Sequence, residues 1–121
     1  MNQKTDLDLR SRTKTFALST LCLCRDLPAK DEARTIGRQL LRSSTSVGAN
    51  YRAACRARTK TEFIAKLGIV LEEADESAFW LELLSEGGIA NSDNVKALLG
   101  EANQLISIFV TSIRTAKGMQ E

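Results

Sequence analysis

The sequence contains no histidine, only one proline and few aromatic side chains, which make up 5% of its 121 residues. Without histidine, a zinc site would need carboxylate ligands, and a Ser or Cys nucleophile would have no imidazole base. No apolar run reaches the roughly 18 residues that a membrane-spanning helix requires. The N-terminal segment also lacks the apolar core of a signal peptide, so we expect a cytoplasmic protein with no membrane partner.

Cysteine is also scarce. Cys22, Cys24 and Cys55 are odd in number and have no spacing typical of a secreted disulfide framework. Cys22 and Cys24 are one residue too close for a C-x-x-C redox pair. We therefore expect free, buried thiols in a reducing compartment, and the sequence predicts no cofactor.

The remaining composition is that of one ordinary globular domain, with 43% apolar residues, 26% charged residues and a net charge of +2. Apolar residues recur at helical spacing, and no strand-like alternation occurs. The sequence predicts one domain over residues 1–121, with helices at about 7–27, 31–58, 60–86 and 92–117. Because the connections are short, the predicted all-α fold is an antiparallel up-down four-helix bundle.

The predicted helix ends coincide with residue types that are favoured there. These residues are Pro28 after the first helix, Asp31 with Glu32 at the second, Thr59 and Glu62 at the third, Gly87 and Gly88 after it, and Asn91 or Ser92 before the fourth.

The middle of the second helix, residues 43–50, is poor in strong helix formers. One interpretation is a loop, including one that cradles a phosphate, but only Gly48 is present where such loops need several glycines. Ile36 and Leu40, which precede the segment, are in helical phase with Val47 inside it and Tyr51 directly after it. A loop would not preserve that phase, so we favour one long helix whose small residues allow a neighbour to approach closely.

Apolar stripes predict the faces that the first and third helices bury. In the first helix, the stripe is Leu9, Phe16, Thr20, Leu23 and Leu27, widened by Leu18 and Leu21. The third helix has a core stripe and a second apolar set, Ile69, Trp80 and Leu83, on its far side. Two stripes on one helix indicate that a second face is also covered.

One face of the second helix is uniformly basic. At about 100° per residue, Arg34, Arg38, Arg42, Arg52 and Arg56 fall within an arc of roughly 80°. From Arg34 to the start of the third helix there are seven Lys or Arg residues and no carboxylate. Solvated helix faces usually mix signs, because oppositely charged pairs four residues apart support the helix. The stripe is therefore either a simple polar face or a surface that binds an anion.

Several segments together resemble a known family. They are residues 27–28 (LP), 39–44 (QLLRSS), 46–50 (SVGAN), Arg58, 62–64 (EFI), Leu67 and 82–84 (ELL). In this order, over about residues 7–116, they resemble the proteins encoded in intervening sequences of bacterial 23S ribosomal RNA genes, the S23 family. Many members have an acidic residue and a glycine after the asparagine of the third segment, where this chain has the sequence AAC at residues 53–55.

The resemblance implies an up-down four-helix bundle that assembles as a homopentameric ring. It also implies kinship with the accessory variability determinant of diversity-generating retroelements, a basic pentameric bundle that binds nucleic acid and a reverse transcriptase. For the S23 family itself, the resemblance implies no established activity. It is therefore more informative about architecture than about function.

The first functional hypothesis is association with structured RNA or duplex DNA. The candidate contacts are Arg34, Arg38, Arg42, Arg52 and Arg56, with Arg58 and Lys60 at the helix end. Arginine suits phosphates because its guanidinium donates two parallel hydrogen bonds. No aromatic residue lies within the basic stripe, so recognition of the backbone or of RNA shape is expected in place of base stacking.

The alternative hypothesis is a structural self-assembly or adaptor protein, with another copy or a different protein as its partner. The arginines of one subunit would then face the acidic third helix of the next. The candidate interface residues are Ile69, Glu73, Glu76, Trp80 and Leu83. Unlike surfaces that meet head to tail close into a ring when the rotation allows it.

An enzyme is the least favoured interpretation. Glu72, Glu73, Asp75 and Glu76 form a carboxylate cluster, but the metal sites of helix bundles use Glu-x-x-His motifs. A solvated acidic face explains the cluster better. The sequence thus predicts no catalytic residues and no metal site.

Overall fold

A computed structural model describes residues 3–90 and 92–118, with side chains from Asp8 onward. The helices are α1 (Gln3–Arg25), α2 (Asp31–Cys55), α3 (Lys60–Glu86) and α4 (Asp93–Gly118), and the described residues contain no strand. Each helix packs on the next one in the chain, and α1 also contacts α4, which closes a four-helix bundle. The predicted all-α fold of four helices is confirmed.

The core consists mainly of side chains that the helical spacing predicts, and Thr13, which lies outside the predicted stripe of α1, is also fully buried. The largest fully buried ones are Tyr51, Phe16, Phe109, Leu40, Leu67, Leu81, Leu84, Leu105, Val47, Val70, Val95 and Thr13. Leu18, which we expected to widen the buried stripe, is 54% exposed. It follows Phe16 by two residues, which places it about 200° further round the helix and away from the core.

α2 continues without interruption through residues 43–50, as the phase of its apolar residues predicted. Gly48 lies where α1 approaches closely, and Gly37 lies against Leu27, in the connection that follows α1. A Cβ at Gly48 would lie 3.5 Å from the backbone oxygen of Thr13, and one at Gly37 would lie only 2.9 Å from Cδ1 of Leu27. Small residues in α2 therefore set how near α1 can pack.

Two adjacent buried hydroxyls tie α2 to both of its neighbours. The Ser44 hydroxyl is hydrogen-bonded to the Thr20 hydroxyl of α1. The Ser77 hydroxyl of α3 donates to Ser43 Oγ at 2.9 Å. Burying a hydroxyl costs free energy unless it finds a partner. These bonds therefore offset that cost and fix the contacts of α2 with α1 and α3.

The start of α3 agrees with the predicted capping motif. Thr59 is the N-cap residue, and its hydroxyl accepts a hydrogen bond from the Glu62 backbone N–H at 3.0 Å. The Glu62 carboxylate in turn accepts from the backbone N–H of Arg58 at 3.2 Å. The reciprocal bond thus reaches one residue further back than the usual capping box.

The start of α2 differs from the prediction. Its N-cap residue is Lys30, whose carbonyl accepts the backbone N–H of Arg34, so Asp31 lies within the first turn and does not cap the helix. The negative charge of Asp31 still interacts favourably with the positive end of the helix dipole. At α4, the Ser92 hydroxyl accepts from the Val95 N–H at 3.4 Å. Asn91, the other candidate cap, lies outside the described residues.

The end of α3 requires glycine at one position. Gly88 has φ of +69°, a conformation that costs L side chains free energy. The Ile89 N–H bonds to the Leu84 carbonyl and the Gly88 N–H to that of Ser85, which is a Schellman motif. This turn sends the chain back toward α4.

The seam between α1 and α4 is the least extensive helix contact of the bundle. Arg12 of α1 donates two hydrogen bonds of 2.8 Å to the Glu101 carboxylate of α4. That carboxylate raises the pKa of Arg12. An open apolar groove of about 480 Å³ lies beside this pair, with Phe16 and Leu98 among its walls.

The cysteines are free, but none is fully buried, although we expected buried thiols. Cys22 is exposed on the α1–α4 groove, because it lies on the side of α1 that turns away from the core. Cys24 and Cys55 are half-buried, and burial raises the pKa of the Cys24 thiol. Separately, none of the described helices is long and apolar enough to cross a membrane.

The buried hydroxyl bond between Ser43 and Ser77 gives the first prediction. Ser77→Ala removes one partner, so we expect the free energy of unfolding to fall by about 1 kcal/mol. Ser43→Ala should cost about the same. Each change also removes a bond to a carbonyl of the same helix, so the double variant should cost more than either single variant but less than their sum, because the bond between the two hydroxyls is shared. Urea unfolding at fixed protein concentration measures these losses.

Thr45→Ala is the control, since this exposed hydroxyl bonds only to carbonyls of its own helix. It should change the unfolding free energy by less than about 0.5 kcal/mol. Fully additive losses in the Ser43 and Ser77 double variant would contradict the assigned bond.

Candidate nucleic-acid interface

The outward face of α2 carries the predicted row of arginines. Arg34, Arg38, Arg42 and Arg52 all lie on the helix, and all are exposed. The opposite side of α2 is fixed in the core by Leu40 and other buried residues. The helical period then leaves the arginines no orientation except toward solvent.

The basic residues after Arg52 lie at the end of α2 and beyond it. α2 ends at Cys55, earlier than the predicted residue 58, because the extended Thr59 that caps α3 needs non-helical backbone before it. Arg56 is the C-cap residue, Arg58 lies in the connection and Lys60 begins α3. All three are exposed. Cations at a helix C-terminus also interact favourably with its dipole.

Two of the seven basic candidates form ion pairs within the chain. Arg42 donates to Glu73 of α3 at 3.1 Å and also to Glu76. Arg34 pairs with Asp31, one turn earlier on α2, at 3.3 Å. Such exposed pairs contribute little to stability, but they reduce the charge that is available to a ligand.

The pair between Arg42 and Glu76 changes the self-assembly hypothesis. The Arg42 hydrogen bond lowers the pKa of Glu76, and a further bond from the Trp80 indole N–H lowers it too, while burial opposes them. Our sequence hypothesis matched Glu73 and Glu76 with arginines of a neighbouring subunit. In the structure, Arg42 of the same chain occupies both carboxylates, because α2 and α3 pack side by side.

The charges of the other five basic candidates are not neutralised by ion pairs with the described residues. In the part of the chain that the structure describes, no ion pair involves Arg38, Arg52, Arg56, Arg58 or Lys60. They extend along α2 and into the turn that follows it. The structure therefore places an exposed cationic row on one side of the bundle.

α1 contributes two basic residues that the sequence analysis did not assign to this surface. Arg10 and Lys14 line, together with Arg52, a shallow groove of about 210 Å³ between α1 and α2. Gly48 and Ala49 also line it, so no long side chain of α2 fills the space. The four-residue spacing of Arg10 and Lys14 shows that they lie on one side of α1. Assigning them to this surface also requires knowing which side of α1 adjoins α2.

The predicted interface residues of α3 are not equally accessible. Ile69 is 39% exposed, whereas Trp80 and Leu83 are half-buried and Trp80 packs against the core. Phe79, which the sequence analysis missed, is 51% exposed and meets Trp80 edge-on, with ring centroids 5.0 Å apart. Its position on the outward face could have been found from its four-residue spacing to Asp75 of the predicted acidic face.

The α3 carboxylates do not converge on one point. Glu72 and Asp75 are exposed, while Glu73 and Glu76 turn toward Arg42. Across residues 3–90 and 92–118, no three His, Cys, Asp or Glu side chains are grouped so that they could hold a metal ion.

Comparison with known proteins identifies relatives of this bundle. The family profile of the 23S rRNA-intervening sequence protein matches residues 5–111. A protein of unknown function from the S23 ribosomal protein family of Bacteroides thetaiotaomicron VPI-5482 is 29% identical. That likeness covers 90% of this chain and 97% of that one, with a TM-score of 0.82. No curated protein matches the chain. The resemblance to the S23 family is confirmed, and kinship with the retroelement protein stays a prediction.

The Arg42–Glu76 pair predicts a pH-dependent effect. Arg42→Ala should raise the pKa of Glu76 toward the ordinary carboxyl value, because the hydrogen bond and the nearby positive charge are lost. The folded-state pKa of Glu76 lies below its unfolded value. The pair therefore stabilises the fold above the unfolded pKa, and its contribution is lost as the pH falls through the folded pKa.

Carboxyl ¹³C NMR across a pH titration measures this pKa. Arg38→Ala is the matched control, because Arg38 lies one turn before Arg42 and forms no ion pair with the described residues. An equal shift of Glu76 in both variants, or no shift in Arg42→Ala, would show that the pair does not persist in solution.

Proposed function

The chain belongs to the 23S rRNA-intervening sequence protein family, and we propose that it is a non-catalytic protein that binds the phosphate backbone of structured RNA or duplex DNA. The observation that carries the proposal is the exposed cationic row of α2, in which Arg38, Arg52 and Arg56 form no ion pair with the described residues. The free thiols are compatible with the reducing cytoplasm that we propose as its location.

The length of the row favours a polyanion over a small anion. At 1.5 Å per residue, Arg38 and Arg52 lie about 21 Å apart along the helix axis. A single phosphate cannot contact both, whereas a nucleic-acid backbone presents phosphates continuously over such a distance. The groove lined by Arg10, Lys14 and Arg52 adds cations from α1 to the same side of the bundle.

The expected mode of recognition is electrostatic. Tyr51, the only aromatic residue of α2, is fully buried, so it offers no ring on which a base could stack. Single-stranded nucleic acid is usually held by such stacking. Contacts from arginine to phosphate instead fix position on a duplex or folded RNA without reading its sequence.

A second candidate function is self-assembly, which the exposed apolar side chains of Ile69 and Phe79 favour. We propose the homopentamer that the family resemblance implies. A different protein, such as the reverse transcriptase bound by the retroelement relative, is the alternative partner. Assembly and nucleic-acid binding are compatible, because the cationic row and these apolar side chains lie on different helices.

Salt dependence tests the proposed nucleic-acid binding. We expect the logarithm of the association constant for labelled RNA hairpin or duplex DNA to fall linearly and steeply with the logarithm of salt concentration, because phosphate contacts release counterions. Arg38→Gln and Arg52→Gln should each reduce the steepness of that slope by about one. Fluorescence anisotropy at several salt concentrations gives the slopes.

Lys96→Gln is the matched control, since Lys96 is an exposed cation on α4, away from the row. It should leave the slope unchanged. Absence of binding at low salt, or equal slopes in the Arg38, Arg52 and Lys96 variants, would refute the proposed interface.

A further inference from the structure

The exposed large apolar side chains of the described residues lie on only two helices. Leu18 on α1 is 54% exposed, and Ile69 and Phe79 on α3 are 39% and 51% exposed. α1 and α3 occupy opposite corners of the bundle, since each packs on α2 and α4 but not on the other. The molecule therefore presents two apolar sites that face different directions.

The site on α1 has a basic rim. Lys14 lies one turn before Leu18, half-buried Leu21 lies beside it, and Arg25 lies two turns after it. We call these four residues the α1 patch. Lys14 and Arg25 are exposed and form no ion pair with any residue that the structure describes.

The site on α3 has an acidic rim. Exposed carboxylates precede and follow Phe79 at helical spacing, on the same outward side of α3. We call this set the α3 patch: Ile69, Glu72, Asp75, Phe79 and Glu82. No lysine or arginine occurs in α3 after Lys66.

The two patches are complementary. We infer that the α1 patch of one copy packs against the α3 patch of the next copy, an arrangement that rests on the proposed self-assembly and assigns its surfaces. Each patch has an apolar centre, and the charged residues of the α1 patch are basic whereas those of the α3 patch are acidic. Asp26, which also lines the groove at Leu18, is an exposed carboxylate beside the α1 patch. Contact between two α3 patches would instead bring carboxylates together, and contact between two α1 patches would do the same for cations.

The α1–α4 groove supplies space for the apolar contact. Leu18 forms one edge of this groove, and Phe16, Leu23 and Leu98 form part of its apolar wall. Aromatic side chains that enter such recesses are typical anchors of protein interfaces. Asp26 and Glu101 also line the groove, and Glu101 is paired with Arg12. Phe79 of the neighbouring copy is the described side chain with the size and exposure to occupy it.

The assigned contact is head to tail, because it joins unlike surfaces. Such contacts close into a ring when the rotation between copies permits and otherwise extend into a filament. Neither patch contains Arg38 or Arg52, so the cationic row of α2 stays accessible in every copy, whereas Lys14 of the α1–α2 groove would be covered. An assembly of this kind would repeat that row at regular intervals along a polyanion.

Complementary variants test the assignment. Leu18→Asp disables the α1 patch, and Phe79→Asp disables the α3 patch. Each variant alone should run at the monomer mass in size-exclusion chromatography with light scattering. An equimolar mixture should form a 1:1 dimer and stop there, because each copy still supplies one intact patch and the two disabled patches repel. Ser107→Asp, an exposed change on α4, should keep the wild-type mass.

The outcomes separate this inference from the proposals on which it depends. A monomeric wild-type protein would overturn the proposed self-assembly and the inference with it. A wild-type assembly that both variants retain would place the interface elsewhere. Loss of assembly in Phe79→Asp but not in Leu18→Asp would indicate α3–α3 contact and overturn the inference. Anisotropy with RNA on the same samples tests the nucleic-acid proposal independently of mass.

Discussion

The rest of the structure depends on how α2 is held between α1 and α3. Ser43 and Ser44 are adjacent, and their directions differ by about 100° round the helix. One therefore reaches the Ser77 hydroxyl of α3 and the other the Thr20 hydroxyl of α1. These two bonds require the same rotation of α2 about its own axis that its buried apolar side chains, such as Leu40, impose. With that rotation fixed, the arginines of α2 must face solvent, so the buried side of α2 determines the position of the charged surface.

α2 and α3 carry charges of opposite sign on their outward sides, and these charges meet at one seam. α2 is basic on its outward side, and α3 is acidic after Lys66. They meet where Arg42 binds Glu73 and Glu76, so the local excess of each charge is partly neutralised at that seam. Away from the seam the charges stay separate. This separation allows one small bundle to offer a cationic surface to a polyanion and different surfaces to other copies of itself.

The fold was predictable because helical periodicity is a local property, and even the continuity of α2 followed from the phase of residues such as Leu40 and Val47. The exposure of Arg38 and Arg52 followed from the same period. Contacts between helices were harder to predict from the sequence. Whether Arg42 meets Glu73 of its own chain depends on the relative height of α2 and α3, and the groove beside Arg10 depends on which side of α1 adjoins α2. A single sequence does not specify these offsets.

α1 is attached to the bundle unevenly. It packs closely on α2 but meets α4 along a less extensive seam, which the bidentate pair between Arg12 and Glu101 bridges. Local opening of a folded protein favours regions with few apolar contacts to break. Swinging α1 away from α4 while α2 retains it thus costs less free energy than separating α2 from α3. Cys22 lies on that seam. Because this thiol is already exposed in the closed bundle, its alkylation does not require opening, whereas amide hydrogen exchange in α1 should be faster than in α2.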